Sequence, residues 1–390
     1  MTRKQDRRRR VRNWAGMLLA GLLSAGAAFA WLPLPAWLPP AILFTTLAIG
    51  HRWMIAPPGV AILTYHAIAD DPAWLPWAQD IAVAPATFER HLATLRAMGC
   101  TLIGTRAYLD HPADAPPRGA VILHFDDGYL DNWLHAVPAL RRHRCPATFF
   151  PSLDFIAPGD RLRAPGGDEA GYMNWAELRA IAADPLFEIE PHGIDHGRVP
   201  ISDEAVDRLT PANWRRHAWM IWDATPGPKH DWFRPDLPTA VPIGAPVPRS
   251  ALALAARRWR PDGTEPQDAL EARIATTLAT CRDRFRDRLG YAPTIFCWPE
   301  NKVGPEGRRI APTLGYRATT GGTGRNAPDE SRAILSRIHI DDRAIGLRWL
   351  PAEALYLRAS VRLVQGNHYW YLLLAPMTAL RKLVMKARRI

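Results

Sequence analysis

The chain opens with two uncharged stretches and then changes rhythm. Residues 14–32 carry no charge and are rich in Leu, Ala and Gly, over a length that suits a membrane-spanning helix. Prolines at 33, 35, 39 and 40 mark a turn, and a second apolar stretch, 36–55, carries His51 and Arg52 near its end. The pattern predicts a hairpin of one or two transmembrane helices over 14–55. From about residue 57, short apolar runs alternate with segments of helical spacing. Strands are predicted at 60–65, 121–125, 147–150, 187–190, 294–298 and 316–319. Phe88, Leu92, Leu95 and Met98 share one helical face, with Thr87 as a cap. Further helices are predicted at 132–143, 175–182 (capped by Asn174), 269–289 and 308–314. This alternation predicts an α/β domain over 57–345, a parallel sheet closed or nearly closed with helices outside.

Two segments break the rhythm. Residues 200–265 are rich in proline and carry Trp214, Trp219, Trp222, Trp232 and Trp259. This predicts an insertion over the active face, its tryptophans forming a small core of their own, with sugar stacking or lipid contact as the alternatives. The last segment, 346–390, reads as amphipathic helices that either rest on a membrane interface or pack on the domain.

Charge adds a partner. The formal net charge of the 390 residues is +11, concentrated at the ends: Arg3, Lys4, Arg7–Arg10 and Arg12, then Arg381, Lys382, Lys386, Arg388 and Arg389. Each cluster borders an apolar stretch, which favours membrane lipid over nucleic acid as the partner. A basic segment 1–13 stays cytoplasmic by the positive-inside rule, at a bacterial inner membrane. With two spans the main domain returns to the cytoplasmic side; with one it lies outside. Ala28-Phe29-Ala30 also resembles a cleavage site, the signal-peptide alternative. The four cysteines, Cys100, Cys145, Cys281 and Cys297, lack paired spacing, which argues against a disulfide framework or a zinc knuckle.

The chemistry lies in Leu123-His124-Phe125-Asp126-Asp127-Gly128-Tyr129, where an apolar run ends in adjacent carboxylates and a glycine. Adjacent carboxylates repel, and become useful when a metal takes one and a proton the other. Alone, Asp-Asp-Gly is a turn. His192-Gly193-Ile194-Asp195-His196 adds two imidazoles that can reach one metal from a helical turn or tight loop. Together they outline a hydrolytic metal site. His124 is expected on the opposite side of its strand, as a structural residue.

These segments, with Pro146-Ala147-Thr148-Phe149-Phe150, Met173-Asn174-Trp175, Phe296-Cys297-Trp298-Pro299 and Gly315-Tyr316-Arg317-Ala318, come in an order that resembles the polysaccharide deacetylases. This is the NodB-homology group, carbohydrate esterase family 4, and the likeness spans roughly 60–340. The resemblance implies a distorted (β/α) barrel and removal of acyl groups from sugars. It implies Asp127, His192 and His196 as metal ligands, most simply for Zn2+, and Asp126 as general base. The general acid would be His66, closing Ile62-Leu63-Thr64-Tyr65-His66, as in circularly permuted members that resemble poly-N-acetylglucosamine deacetylases. His339 is the rival. Tyr129, Trp298, Pro299 and Glu300 would line the substrate site, and a backbone N–H of the Cys297–Glu300 turn would assist the oxyanion.

Three positions depart from the family pattern. Gly193 stands where Ser or Thr is usual, Glu300-Asn301 where Tyr-Gly is common, and the arginine that often precedes the proline motif is missing. The last leaves Asp126 without an assigned partner. The function expected is metal-dependent removal of an N-acyl group, acetyl above all, from an amino sugar of an envelope polysaccharide or lipid-linked precursor. The alternatives are a cytoplasmic-face deformylase or deacetylase of an undecaprenyl-linked sugar, and a silent glycan-binding module.

Overall fold

The computed structural model describes residues 2–31, 35–112 and 117–388. The proline turn around 32–34 and the end of the basic run at 389–390 lie outside them. The strands in chain order are β1 (Ala61–Tyr65), β2 (Thr101–Leu102), β3 (Ala120–Asp127), β4 (Ala147–Pro151), β5 (Phe187–Ile189), β6 (Arg198–Arg208), β7 (Pro246–Leu252), β8 (Trp259–Arg260), β9 (Gly263–Thr264), β10 (Ile295–Phe296), β11 (Ala318–Gly322) and β12 (Ile334–His339). Eight form one parallel sheet in the order β10-β11-β12-β1-β3-β4-β5, with β2 beside β3. The outer strands are joined by other means. Cys297 N donates to Pro191 O at 3.0 Å, and Tyr291 Oη to Ile189 O at 2.7 Å. The buried Glu190 carboxylate accepts from the Thr294 and Ile295 amides and from Arg106. The result is a barrel closed by side-chain and loop bonds, which is the distorted (β/α) barrel expected.

The alternation of β3 sorts its side chains. Leu123 and Phe125 join the large core between sheet and helices, while Ile122 belongs to a smaller core with Ile62, Phe150 and Ile295. The two-residue period puts His124 on the same side as Asp126, not the opposite side. It is still held by structure, with Nε2 3.0 Å from Thr105 Oγ1.

Several element ends differ from their prediction. Helix Pro85–Ala97 starts before Thr87: its cap is Ala84, whose N–H donates to Asp342 Oδ2 from a distant part of the chain. Asn174 does cap Trp175–Ala182, in a capping box with Glu177. Strand β12 was not foreseen, because Ser336 and Arg337 interrupt its apolar residues.

The N-terminal segment forms two helices, α1 (Arg3–Trp31) and α2 (Leu38–Met54). By length and composition, 3–30 is the one helix among the described residues apt to cross a membrane. The basic run is no loose tail but the first turns of α1, docked on the domain. Arg3 N donates to Thr323 O at 2.6 Å, Arg10 to Trp53 O at 3.4 Å, and Trp14 meets Tyr369 edge-on. Beyond Trp14 the two helices pack on each other so closely that a Cβ at Gly21 would sit 2.6 Å from Thr46. Their other faces are bare: Leu23 is 66%, Phe29 85% and Phe44 73% exposed.

The C-terminal segment forms helices Leu350–Val364 and Tyr371–Arg388. The last buries Leu374 and Met377 and leaves Leu372, Leu380 and Leu383 exposed. Residues 198–252 contribute the antiparallel pair β6–β7, and Trp214, Trp219, Trp222 and Trp232 gather with Trp77, Tyr129 and Tyr172 in a second core.

Candidate active site

The site stands at the C-terminal ends of neighbouring strands. β3 ends in Asp126 and Asp127, β1 is followed by His66, and the loop after β5 carries His192 and His196. Asp127 adopts a left-handed backbone conformation (φ 72°), unusual for a residue with a side chain. Gly128 follows at φ 80°, where a Cβ would strike Pro151 at 2.8 Å. Only glycine lets the chain turn there. His196, Glu300 and Asn301 are also left-handed, so backbone strain concentrates around one site.

Asp127, His192 and His196 offer ligand atoms all within 4.8 Å of one another. His192 Nε2 lies 3.3 Å and His196 Nε2 3.9 Å from Asp127 Oδ1. The histidines come from a tight loop rather than a helix. Gly193 takes φ 88°, which suits its lack of a side chain, and the loop is not slack: Leu153 N and Asp154 N donate to Gly193 O and Ile194 O. His192 Nδ1 donates to Cys297 O at 3.0 Å, which leaves the Nε2 lone pair facing the cluster. Asp127 Oδ1 is buried with no hydrogen-bond partner among the described residues. A divalent cation fits this donor set and would satisfy the orphaned oxygen. Burial opposes charge on Asp127, yet the nearby His192 and His196 imidazoles hold it well below the usual carboxylate range. Burial also opposes charge on His192, but Cys297, then Asp126 and Asp127, outweigh this and raise its proton affinity well above the ordinary value.

Asp126 is held separately. Arg337 Nη1 donates to its Oδ1 at 2.7 Å, with both side chains almost fully buried. Arg337 Nε donates in turn to Asn301 Oδ1 at 3.0 Å. The arginine missing from the proline motif is thus supplied from β12, and Asn301, one of the departures, orients it. Cys297, at the motif's own place, leans on Asp126 with Sγ 3.6 Å from Oδ1. Burial disfavours the Asp126 carboxylate, but Arg337, then His192 and His66, outweigh it and keep it ionised far below the usual range. Its other oxygen is 3.9 Å from His66 Nε2 and 4.0 Å from His192 Nε2.

The two candidate acids are neighbours because β1 pairs with β12, and their rings lie 5.1 Å apart. They differ in what they face. His66 lines the cavity beside Asp127, and burial, only partly offset by Asp127 and Asp126, lowers its pKa to about 4. His339 is exposed and donates to the Asp80 carbonyl at 2.8 Å, outside the cavity.

The expected substrate contacts divide. Tyr129 and Glu300 line the cavity, Glu300 paired with Arg198 and Lys302. Trp298 does not: it is fully buried against Phe296 in the main core, because β10 turns it inward. Pro299 is buried beside it. The Cys297 and Trp298 amides are spent on Pro191 O and Thr320 Oγ1, so neither is free for an oxyanion.

Comparison with known proteins agrees with this architecture. Residues 113–237 match the family model described as polysaccharide deacetylase. No curated protein is similar enough to count as a match. Among solved structures, the de-N-acetylase from Aggregatibacter actinomycetemcomitans is 19% identical, with a TM-score of 0.51 over 72% of this chain and 95% of that one. The BpsB deacetylase domain from Bordetella bronchiseptica is 20% identical, with a TM-score of 0.50 over 74% and 97%. IcaB from Ammonifex degensii is 16% identical, with a TM-score of 0.50 over 77% and 97%. These likenesses bear on the fold, which is of the NodB type. The family match covers residues 113–237, and over that segment the chain is similar to the polysaccharide deacetylases, a class of carbohydrate-deacetylating hydrolases.

Proposed function

We propose that this chain is a metal-dependent N-deacylase of an amino sugar in an envelope polysaccharide or its precursor. One observation carries the reading: a three-ligand cluster with an orphaned carboxylate oxygen stands beside a second carboxylate held ionised by its own arginine. Asp127, His192 and His196 would hold the ion. When bound, it supplies Lewis acidity that activates a water at neutral pH and polarises the acyl carbonyl. Zn2+ suits two imidazoles and a carboxylate, though other first-row ions compete for such a set. Asp126, ionised and aimed by Arg337, takes the proton of the attacking water. His66, neutral at pH 7, becomes a strong acid once it gains a proton, which suits it to protonate the departing amine.

Purified protein supplied with a divalent metal is expected to release acetate from N-acetylated amino sugars; release from none of them overturns the reading. One metal per chain is expected at neutral pH by elemental analysis. Binding displaces the proton that His192 favours, so affinity should fall as the pH is lowered.

The hairpin supports a membrane anchor, with lipid as the second partner, and it also bears on the side. Arg3 at the start of α1 is bonded to Thr323 of the domain, and the end of α2 returns to pair Ile55 with Asn367. Domain and basic segment therefore share one face, which the positive-inside rule assigns to the cytoplasm. Protease added to spheroplasts should spare the domain, and protease added to inverted vesicles should digest it. The reverse pattern excludes this orientation.

A further inference from the structure

The insertion changes what the active site can accept. A cavity of about 470 Å³ opens above the candidate ligands, with His66, Asp127 and His196 at its floor. This is the scale of a pocket for one small ligand. The floor is polar and the insertion's wall is divided: His217, Ser250 and Arg198 line it but are engaged, His217 with Asp207 and Arg198 with Ser250 and Glu300, and much of the rest is apolar. Val206 and Val247 come from β6 and β7, Trp219 and Trp222 from the helix Trp219–Ala224 between them, and Ile81 faces them from the domain. The two tryptophans are 7% exposed each and packed into the second core, so their ring faces are covered. They offer an apolar wall, not open platforms for stacking sugars.

A neighbouring sugar would press hydroxyl groups against the apolar part of this wall without partners, at a cost in desolvation. An apolar group would lose nothing there. At the rim stands Arg216, exposed, its guanidinium with no hydrogen-bond or ion-pair partner among the described residues. The arginines near it are engaged: Arg215 with the Phe233 and Pro235 carbonyls, Arg198 with Ser250 and Glu300. A free guanidinium beside an apolar wall suits an anionic group, a phosphate above all.

We propose that the substrate is an N-acylated amino sugar whose substituent on the insertion side is apolar and joined through an anionic linkage. This rests on the deacylase reading and narrows it. The wall and Arg216 act on binding, and Asp126 and the ligand cluster act on the chemistry.

The test compares three probes on the metal-loaded full-length enzyme: tetra-N-acetylchitotetraose, octyl N-acetylglucosaminide and the octyl phosphodiester of N-acetylglucosamine. The phosphodiester should exceed the neutral octyl glycoside in kcat/KM, and that glycoside should exceed chitotetraose, each by roughly tenfold or more. Arg216→Ala should erase the first gap and Val206→Asp the second. Both residues are exposed, so neither change disturbs the core. Chitotetraose turned over as well as the octyl probes, or gaps unmoved by the two variants, overturns the inference and leaves the deacylase reading standing. An enzyme that deacylates none of the probes overturns both.

Discussion

Asp126→Asn should keep its metal and lose turnover by about a thousandfold, the scale of a lost general base. Asparagine has the shape of aspartate, and its carbonyl oxygen can still accept from Arg337 Nη1, which now stands 2.7 Å from Oδ1. The atom that changes is Oδ2, the one near His66 and His192. An amide nitrogen there accepts no proton, so the chemistry stops while the scaffold stays. Asp127→Asn is the contrasting variant, since it weakens the ligand set itself. Elemental analysis beside kcat/KM separates them: the first variant should be metalled and inactive, the second depleted. Full activity in Asp126→Asn would sink the assignment of the base, and loss of metal from it would mean that Asp126 is a ligand.

What could be read in advance follows the distance along the chain. The paired carboxylates, the two histidines and the strand-helix alternation are local patterns, and the structure brings those residues together. His66 came only from the permuted resemblance; what sets it beside Asp126 is the pairing of β1 with β3, which no local pattern shows. Arg337 had no local signal. It comes from β12, brought to the site by strand pairing, and it looked like an interruption of an apolar run. Asn301 was read as a lost family residue, and it became intelligible only with Arg337 in view. Trp298 was placed at the substrate by its position in the proline motif, whereas the direction of β10 sends it into the core. Ala84 gives no sign of a cap because its partner, Asp342, lies far along the sequence.

The coupling between Arg337 and Asp126 makes the second large prediction. Arg337→Met removes the partner of a carboxylate that is 2% exposed. An uncompensated buried charge costs about 3–5 kcal/mol, which denaturant unfolding should register. The sign with pH follows. In the native protein Asp126 has a depressed pKa, so its contribution is present above the usual carboxylate range and is lost only as pH falls through the lowered value. Without Arg337 the largest remaining influence is burial, which raises the pKa. The variant should then lose stability as pH rises, and its turnover should show an acid limb that the native enzyme lacks. Arg337→Lys, which keeps the charge but not the two-way hydrogen bonding to Asp126 and Asn301, should fall between. The decisive comparison is the double mutant. In an Asp126→Asn background there is no carboxylate to strand, so Arg337→Met should cost less by about 2 kcal/mol or more. An equal cost in both backgrounds would mean that Arg337 supports the barrel through Asn301 and packing alone, and that Asp126 is held ionised by its histidines.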